Sequence, residues 1–416
     1  MKCLQNLRKN RGLRIYRPLT DARSKPGYQG DVMKTFISLS LFCTALTGSV
    51  LAKGAVEGTP LPTDTPQDKV QIAILLDTSN SMDGLIGQAK TQLWKVVNTF
   101  TTAKRDGKAP FVEVALYEYG NNGLNIANNW IRLVEPLTRD LDEISRELFA
   151  FHTNGGDEYC GAVIQRSLAD LSWDPSPRTY KAIFIAGNEP FTQGPVDARQ
   201  ACRDAHAKGI VVNTIHCGSR EEGIAGAWHD GPALAEGKFL SINQDKAVAH
   251  IDAPQDKEIA NLGIELNKTY LGYGVLAREG MAKQVSEDAN ATANAAAGSA
   301  QQRAVSKASV NYCNTSWDLV DACRDGTKKL ADVPVDQLPE AMQKMTPAER
   351  EAHLAKMSSE RAALQKKIAD LNVARERFVA EAEKKQAETS GEQTLDQVVV
   401  ATVKAQASSV GYSFGE

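Results

Sequence analysis

Apolar residues run almost without a break from Val70 to Leu76, and the run stops at Asp77-Thr78-Ser79-Asn80-Ser81. Such a block suits a strand buried on both faces of a parallel sheet. Leu85, Ala89, Leu93, Val96 and Phe100 then recur at helical spacing and predict a helix with one apolar face. Further strand signals fall at Val112, Val114 and Leu116, at Trp130 to Val134, at Ile183 to Ala186, at Ile210 to Ile215, and at Lys238 to Ile242. Helical patterns over about 139–151, 160–171 and 196–208 lie between them. The alternation predicts an α/β fold: a doubly wound, mostly parallel sheet of about six strands, one of them antiparallel.

Beyond about residue 246 strand signals vanish, and an Ala-rich, weakly amphipathic stretch covers about 275–310. A better anchored helix follows around Trp317, Leu319 and Val320. Thr346, Pro347 and Glu349 form a capping box that opens a much longer helix. Leu354, Met357, Leu364, Ile368, Leu371 and Phe378 recur along it on a seven-residue repeat, interrupted by Arg361 and Arg375. The spacing predicts a coiled-coil-like helix of about 40 residues, roughly 60 Å long. That helix either packs on its own chain or supports self-association. A second capping box, Thr394 to Gln397, precedes Val398, Val399, Val400 and Val403. The expected organisation is a basic leader (1–32), a signal peptide (33–52), a linker (53–69), an α/β domain (70–245), a helical region (246–345), the long helix (346–390), and a C-terminal helix with its tail (391–416).

Strand, polar turn and helix place Asp77, Ser79 and Ser81 at the carboxyl end of a central strand, where open α/β sheets bind ligands. One carboxylate with two hydroxyls suits a hard cation that keeps several waters. This Asp-x-Ser-x-Ser loop resembles the metal-ion-dependent adhesion site of the von Willebrand factor A family. The resemblance covers about 70–245 and implies two further loops at the same edge. The second is FHTNGGDEYCG, residues 151–161, where Asp157 stands in place of the family's usual Thr and Thr153 is a second candidate. In the third, Gly187-Asn188 replaces the usual Asp-Gly, so the family's third carboxylate is missing; Asn188 and Glu189 are the nearest substitutes. The implied metal set is Asp77, Ser79, Ser81 and Asp157 around Mg²⁺ (or Mn²⁺ or Ca²⁺). About two of six positions would remain for water or for the acidic side chain of a protein partner. The whole chain also looks like exported bacterial proteins that join such a domain to a long-helix tail, a group without an assigned activity. Gly223 to Gly231, with Trp228, reads as a loop beside the site or as core.

The net charge of −3 is unevenly spread: residues 1–32 hold eight Lys/Arg against two Asp/Glu, leaving 40 basic against 49 acidic groups in the remainder. An acidic body argues against nucleic acid as partner. From Met33, which is also a plausible start, Lys34, the apolar stretch to Leu51 and Val50-Leu51-Ala52 read as a signal peptide. The stretch is short for a stable transmembrane anchor, so the expected location is periplasmic or extracellular. In an oxidising compartment Cys313 and Cys323 form the easiest local loop, and Cys160 and Cys217, both at the ligand-binding edge, are favoured over a pairing with Cys202.

No nucleophile elbow, zinc-protease helix or phosphate loop is present. The expectation is therefore a non-enzymatic, metal-dependent binding module. The alternatives are a metal-independent scaffold acting through the helical tail and, less favoured, a hydrolase built on His152 and Asp157.

Overall fold

The computed structural model describes residues 68–82, 95–242, 251–293, 298–390 and 395–415. The leader, the signal-peptide stretch, most of the linker, the helix face from Leu85 to Leu93 and the capping residue Thr394 lie outside them.

Strand β1 (Lys69–Asp77) is buried because a strand pairs with each of its edges and apolar residues cover each of its faces. It pairs in parallel with β2 (Phe111–Tyr119) and with β4 (Tyr180–Gly187). Strand β3 (Ile131–Thr138) runs antiparallel to β2, with an irregular register between Val114 and Tyr117. Strands β5 (Val211–Cys217) and β6 (Phe239–Ile242) extend the other edge in parallel. The spatial order is β3-β2-β1-β4-β5-β6. Connections leaving β1 and β4 diverge to opposite sides, so a crevice opens between their carboxyl ends.

Alternation along β1 divides the core in two. Val70, Ile72, Ile74 and Leu76 face a layer containing Val96 and Phe100, helix α1 (Leu141–Ala150) and the chain's last helix. Ala73 and Leu75 face helices α2 (Cys160–Asp170) and α3 (Ala198–Ala207), with Trp228. Among the described residues the expected strands and the helices over about 139–151, 160–171 and 196–208 are present, their ends shifted by a few residues.

The helical region holds α4 (Asp256–Asn267), α5 (Ala277–Ala293), α6 (Ser299–Ala308) and α7 (Leu319–Arg324). Helix α5 joins the α/β layer through charge: Lys283 reaches Asp140 (2.8 Å) and Glu143 (2.9 Å), while Arg303 of α6 reaches buried Asp142 at 2.5 Å. The long helix α8 (Pro347–Ser390, 44 residues) starts at the predicted cap, with Glu349 reaching back to the Thr346 amide at 2.7 Å.

Met357, Leu364, Ile368 and Leu371 pack on residues of the same chain. Arg361, which interrupts the repeat, is buried. It donates to Asp318 (2.6 Å), to Asp321 (2.9 Å) and to the Thr269 carbonyl (2.7 Å), and it lies 3.9 Å over the Tyr270 ring. Arg375 pairs with Asp256 at 2.6 Å. Both interruptions are docking points on the chain's own helices, so the apolar seam as far as Leu371 is occupied within the molecule.

Helix α9 (Leu395–Ser409) returns to the sheet, an arrangement the linear reading treated as a separate C-terminal element. Val399, Val403 and Ala407 are fully buried against the face of Val70 and Ile72. Gln406 bonds Asn213 and accepts from the Tyr180 hydroxyl (2.7 Å), and the Tyr412 hydroxyl donates to the Lys69 carbonyl (2.8 Å). Ser413–Phe414 forms a two-residue antiparallel ladder with Ala103–Lys104. The α/β core is therefore discontinuous in sequence.

All five described cysteines are free. The expected Cys160–Cys217 bond is not formed because the sheet separates the two: Cys160 belongs to the α2 face and Cys217 to the opposite one. Cys313 and Cys323, close in sequence, also stay apart. Cys313 accepts from Arg324, whereas Cys323 packs with the Leu319 cluster. Disulfides need aligned Cβ vectors, which short separation along the chain does not supply.

Truncating Val403 to Ala should cost about 2 kcal/mol through lost apolar burial. Replacing Arg361 by Ala should cost about 3–5 kcal/mol, because it strands two buried carboxylates. Phe378→Ala, on the half-exposed far part of α8, should stay within about 0.5 kcal/mol. Urea unfolding of the three variants measures these differences.

Candidate functional site

Asp77 ends β1 fully buried, and the following turn folds back on it, with the Ser79 amide donating to Asp77 Oδ1 at 2.7 Å. Ser79 Oγ and Ser81 Oγ are 2.7 Å apart, and Ser81 Oγ donates to Asn188 Oδ1 at 3.0 Å. The first and third loops are thus joined by a chain of oxygen atoms. The turn is held from below by Thr78, whose amide donates to the Tyr119 carbonyl (2.9 Å) and whose hydroxyl donates to Glu118 (2.9 Å). Arg132 clamps the other oxygen of Glu118 through Nε and Nη2 at 2.9 and 2.7 Å.

The second loop brings a carboxylate from an unexpected position. Asp157 is exposed, 3.5 Å from the Tyr159 hydroxyl, whereas Glu158 is buried and turned toward Asp77. Backbone contacts set this orientation. The Asn154 amide donates to the Thr78 carbonyl (3.0 Å) and the Asn122 amide to the Gly155 carbonyl (2.7 Å). A Cβ at Gly156 would lie 2.4 Å from the Gly120 carbonyl oxygen, so only glycine permits this approach. Gly120 itself has φ +78, and a Cβ there would fall 2.6 Å from Asp77 Oδ1 and 2.7 Å from Glu158 Cγ. Both carboxylates press on the same bare backbone.

One oxygen of each, Asp77 Oδ2 and Glu158 Oε2, is buried without a hydrogen-bond partner. Burial pushes the Asp77 carboxyl up to about 7, assisted by the Glu189 charge and opposed by hydrogen bonds from Ser79 and the Asn188 amide. Burial followed by the Asp77 charge pushes Glu158 up to about 8. Orphaned acidic oxygens facing hydroxyl and amide oxygens are a donor set for a hard cation, which would supply the missing charge. Among the described residues no three His, Cys, Asp or Glu converge as a metal cluster, so two carboxylates with neutral oxygens are what this edge offers.

At the third loop, where the resemblance implies a carboxylate, the packing leaves no room for a side chain at Gly187. A Cβ at Gly187 would lie 2.5 Å from the Tyr119 hydroxyl and 3.1 Å from the Trp228 ring. The Tyr119 hydroxyl fills that place and donates to the Ala186 carbonyl at 2.9 Å. Trp228 is core and also holds the loop, its indole donating to the Glu189 carbonyl at 2.8 Å. Glu189 itself is exposed, Thr153 is partly buried in the second loop, and Asn188 stands beside Ser81. His152 is exposed and contributes its carbonyl, which accepts from Asn121 at 3.0 Å. Sequence reading missed Glu158, Tyr119 and the Glu118–Arg132 clamp. The adjacent acidic pair Asp157-Glu158 was the one visible sign of the first.

The strand order, the single reversed strand and the Asp-x-Ser-x-Ser turn at the crevice settle the architecture. The α/β portion has a von Willebrand factor A-like fold. No family model matches the chain, and no curated protein matches it. Among solved structures it is similar to the SpRpn10 VWA domain, at 15% identity and TM-score 0.34, over 43% of this chain and 90% of that one. It is similar to the conserved hypothetical protein BatB from Bacteroides thetaiotaomicron, at 18% identity and TM-score 0.31, over 42% of this chain and 90% of that one. It is also similar to a von Willebrand factor type A protein from Catenulispora acidiphila, at 16% identity and TM-score 0.29, over 42% and 39%. Among the described residues no helix is long and apolar enough to cross a membrane.

Two outcomes test this geometry. Gly187→Ala should destabilise by roughly 1–3 kcal/mol through overpacking. Combining it with Tyr119→Phe should cost less than the sum of the two changes, as a double-mutant cycle in urea would measure. In chelated protein both carboxyls are raised in the folded state, so that state binds more protons than the unfolded chain from about pH 4 up to about pH 8. Their contribution to stability is therefore largest at acid pH and falls as pH rises through that window. Asp77→Asn should flatten the fall.

Proposed function

We propose that this chain is a divalent-cation-dependent binding module of the bacterial envelope. Asp77, Ser79, Ser81 and Glu158 would hold Mg²⁺, or Mn²⁺ or Ca²⁺, and Asn188 would steady Ser81 or take part directly. The observation that carries the reading is the pair of buried carboxylates, each with an unpartnered oxygen, beside linked serine hydroxyls. Without a cation those oxygens are a standing desolvation cost; with one they are ligands. The bound ion supplies an electrophilic point that accepts oxygen. Four protein ligands leave about two of six positions for water or for an oxygen from the partner. The chain's own residues do the rest: Glu118 with Arg132 fixes the first loop, Gly120 and Gly156 admit the second, and Trp228 fixes the third. The resemblance implies a partner protein presenting a carboxylate. The signal-peptide pattern beginning at Met33 supports export.

Calorimetric titration with magnesium and manganese should give binding heat, and either ion should raise the melting temperature. Asp77→Asn and Glu158→Gln should lose both responses, whereas exposed Asp157→Asn should keep most of each. Equal loss in Asp157→Asn and none in Glu158→Gln would reassign the second-loop ligand.

A further inference from the structure

The chain contains two Asn-Gly steps, Asn122-Gly123 and Asn154-Gly155, and the fold sets them against each other. The Asn122 amide donates to the Gly155 carbonyl at 2.7 Å. A Cβ at Gly155 would lie 3.6 Å from Asn122 Nδ2, and one at Gly123 would lie 3.8 Å from Asn154 Nδ2. Both asparagines are exposed. In residue type and exposure the two steps are alike, and each is a self-reacting pair. The glycine amide nitrogen, giving up its proton to base, attacks the asparagine Cγ. The new C–N bond closes a five-membered imide as the Cγ–Nδ2 bond breaks and ammonia leaves. Water then opens the imide at either carbonyl and yields aspartate or isoaspartate, in which the main chain runs through the former side chain. Glycine favours the reaction because it frees the backbone to rotate and puts no Cβ in the way. A hydrogen bond from that amide opposes it, because the proton to be lost is engaged and the peptide plane is held.

The two nitrogens differ in this respect. The Gly123 amide donates to Asn121 Oδ1 at 2.8 Å. Asn121 is itself buried and fixed, its Nδ2 donating to the His152 carbonyl at 3.0 Å and to Thr78 Oγ1 at 3.3 Å. The Gly155 amide has no acceptor among the described residues, and the nearest atom to the place its Cβ would take is 3.5 Å away. We propose that Asn154 is a site of spontaneous deamidation and isomerisation, and that the fold protects Asn122 from the same reaction. The position gives the change a consequence. The bonds from the Asn154 amide to the Thr78 carbonyl (3.0 Å) and from the Asn122 amide to the Gly155 carbonyl hold the second loop, which carries Glu158. Isoaspartate inserts an extra backbone carbon between those two anchors. Conversion therefore loosens the loop and, resting on the metal-dependent reading above, weakens the hold on the cation.

The test ages the full chain in mildly alkaline buffer, folded and in urea, and follows both steps by peptide mass mapping and enzymatic isoaspartate methylation. In urea the two steps should react at similar rates. In the folded chain Asn154 should react about fivefold or more faster than Asn122. Asn121→Ala, which frees the Gly123 amide, should bring Asn122 toward its rate in urea. The magnesium-dependent rise in melting temperature should fall as isoaspartate accumulates at 154, and Asn154→Ser should keep it throughout. Equal rates in the folded chain, faster reaction at Asn122, or silence at both steps while the chain in urea reacts would overturn the inference. Isoaspartate at 154 with an undiminished magnesium response would overturn the consequence drawn for the loop. A fresh chain with no magnesium response removes the metal reading and leaves the modification to be judged by mass alone.

Discussion

The arrangement depends on a carboxylate held where carboxylates are expensive. Asp77 ends the central strand of a sheet covered on both faces, and its second oxygen finds no donor. Burying such a group is tolerated only when a counter-charge, a proton or a cation compensates it. Glu158 beside it aggravates the cost, because two like charges share one desolvated crevice. Much of the local structure serves to keep that pair in place. Glycine occupies Gly120, where a side chain would strike both carboxylates, and Gly156, where it would strike the Gly120 backbone and hold the two loops apart. The Glu118–Arg132 clamp satisfies a third buried acid, so that it positions Thr78 without adding to the repulsion.

The same economy of charge governs the helical region. Arg361 sits buried in α8, where an apolar residue would continue the repeat, and two aspartates, a carbonyl and an aromatic face enclose it. Arg303 and Lys307 of α6 are likewise paired with Asp142 and Asp288. Paired buried charges of this kind penalise misplacement heavily, so they fix which helix meets which. They also tie α6 to α1, and α8 to α4 and α7, while α9 carries the chain back onto the sheet. The helical tail is therefore part of the α/β domain's support, with Val399, Val403 and Ala407 completing a core layer that residues 70–245 leave incomplete.

Much of the α/β fold was legible because its signal is local. The unbroken run from Val70 to Leu76, the period of the intervening helices and the turn residues between them fix element type and order through burial and backbone preference alone. The first loop was legible for the same reason, since Asp77, Ser79 and Ser81 lie within five residues of one another. The capping box at Thr346 and the length of α8 were readable too, from helix-end chemistry and the spacing of apolar residues.

What linear order could not carry was decided in three dimensions. Whether Asp157 or Glu158 turns inward depends on the Gly120–Gly156 approach between loops far apart in sequence. The Tyr119 hydroxyl, from another strand, occupies the space that a side chain at Gly187 would need. The cysteines look like partners by position, yet Cys160 and Cys217 lie on opposite sides of the sheet. The seven-residue repeat of α8 reads equally as an intermolecular seam until Asp318 and Asp256 are seen to receive Arg361 and Arg375. Sequence determined the elements and the first loop, because those follow from neighbours along the chain. Tertiary packing chose the second carboxylate, the free thiols and the role of the tail, because those follow from neighbours in space.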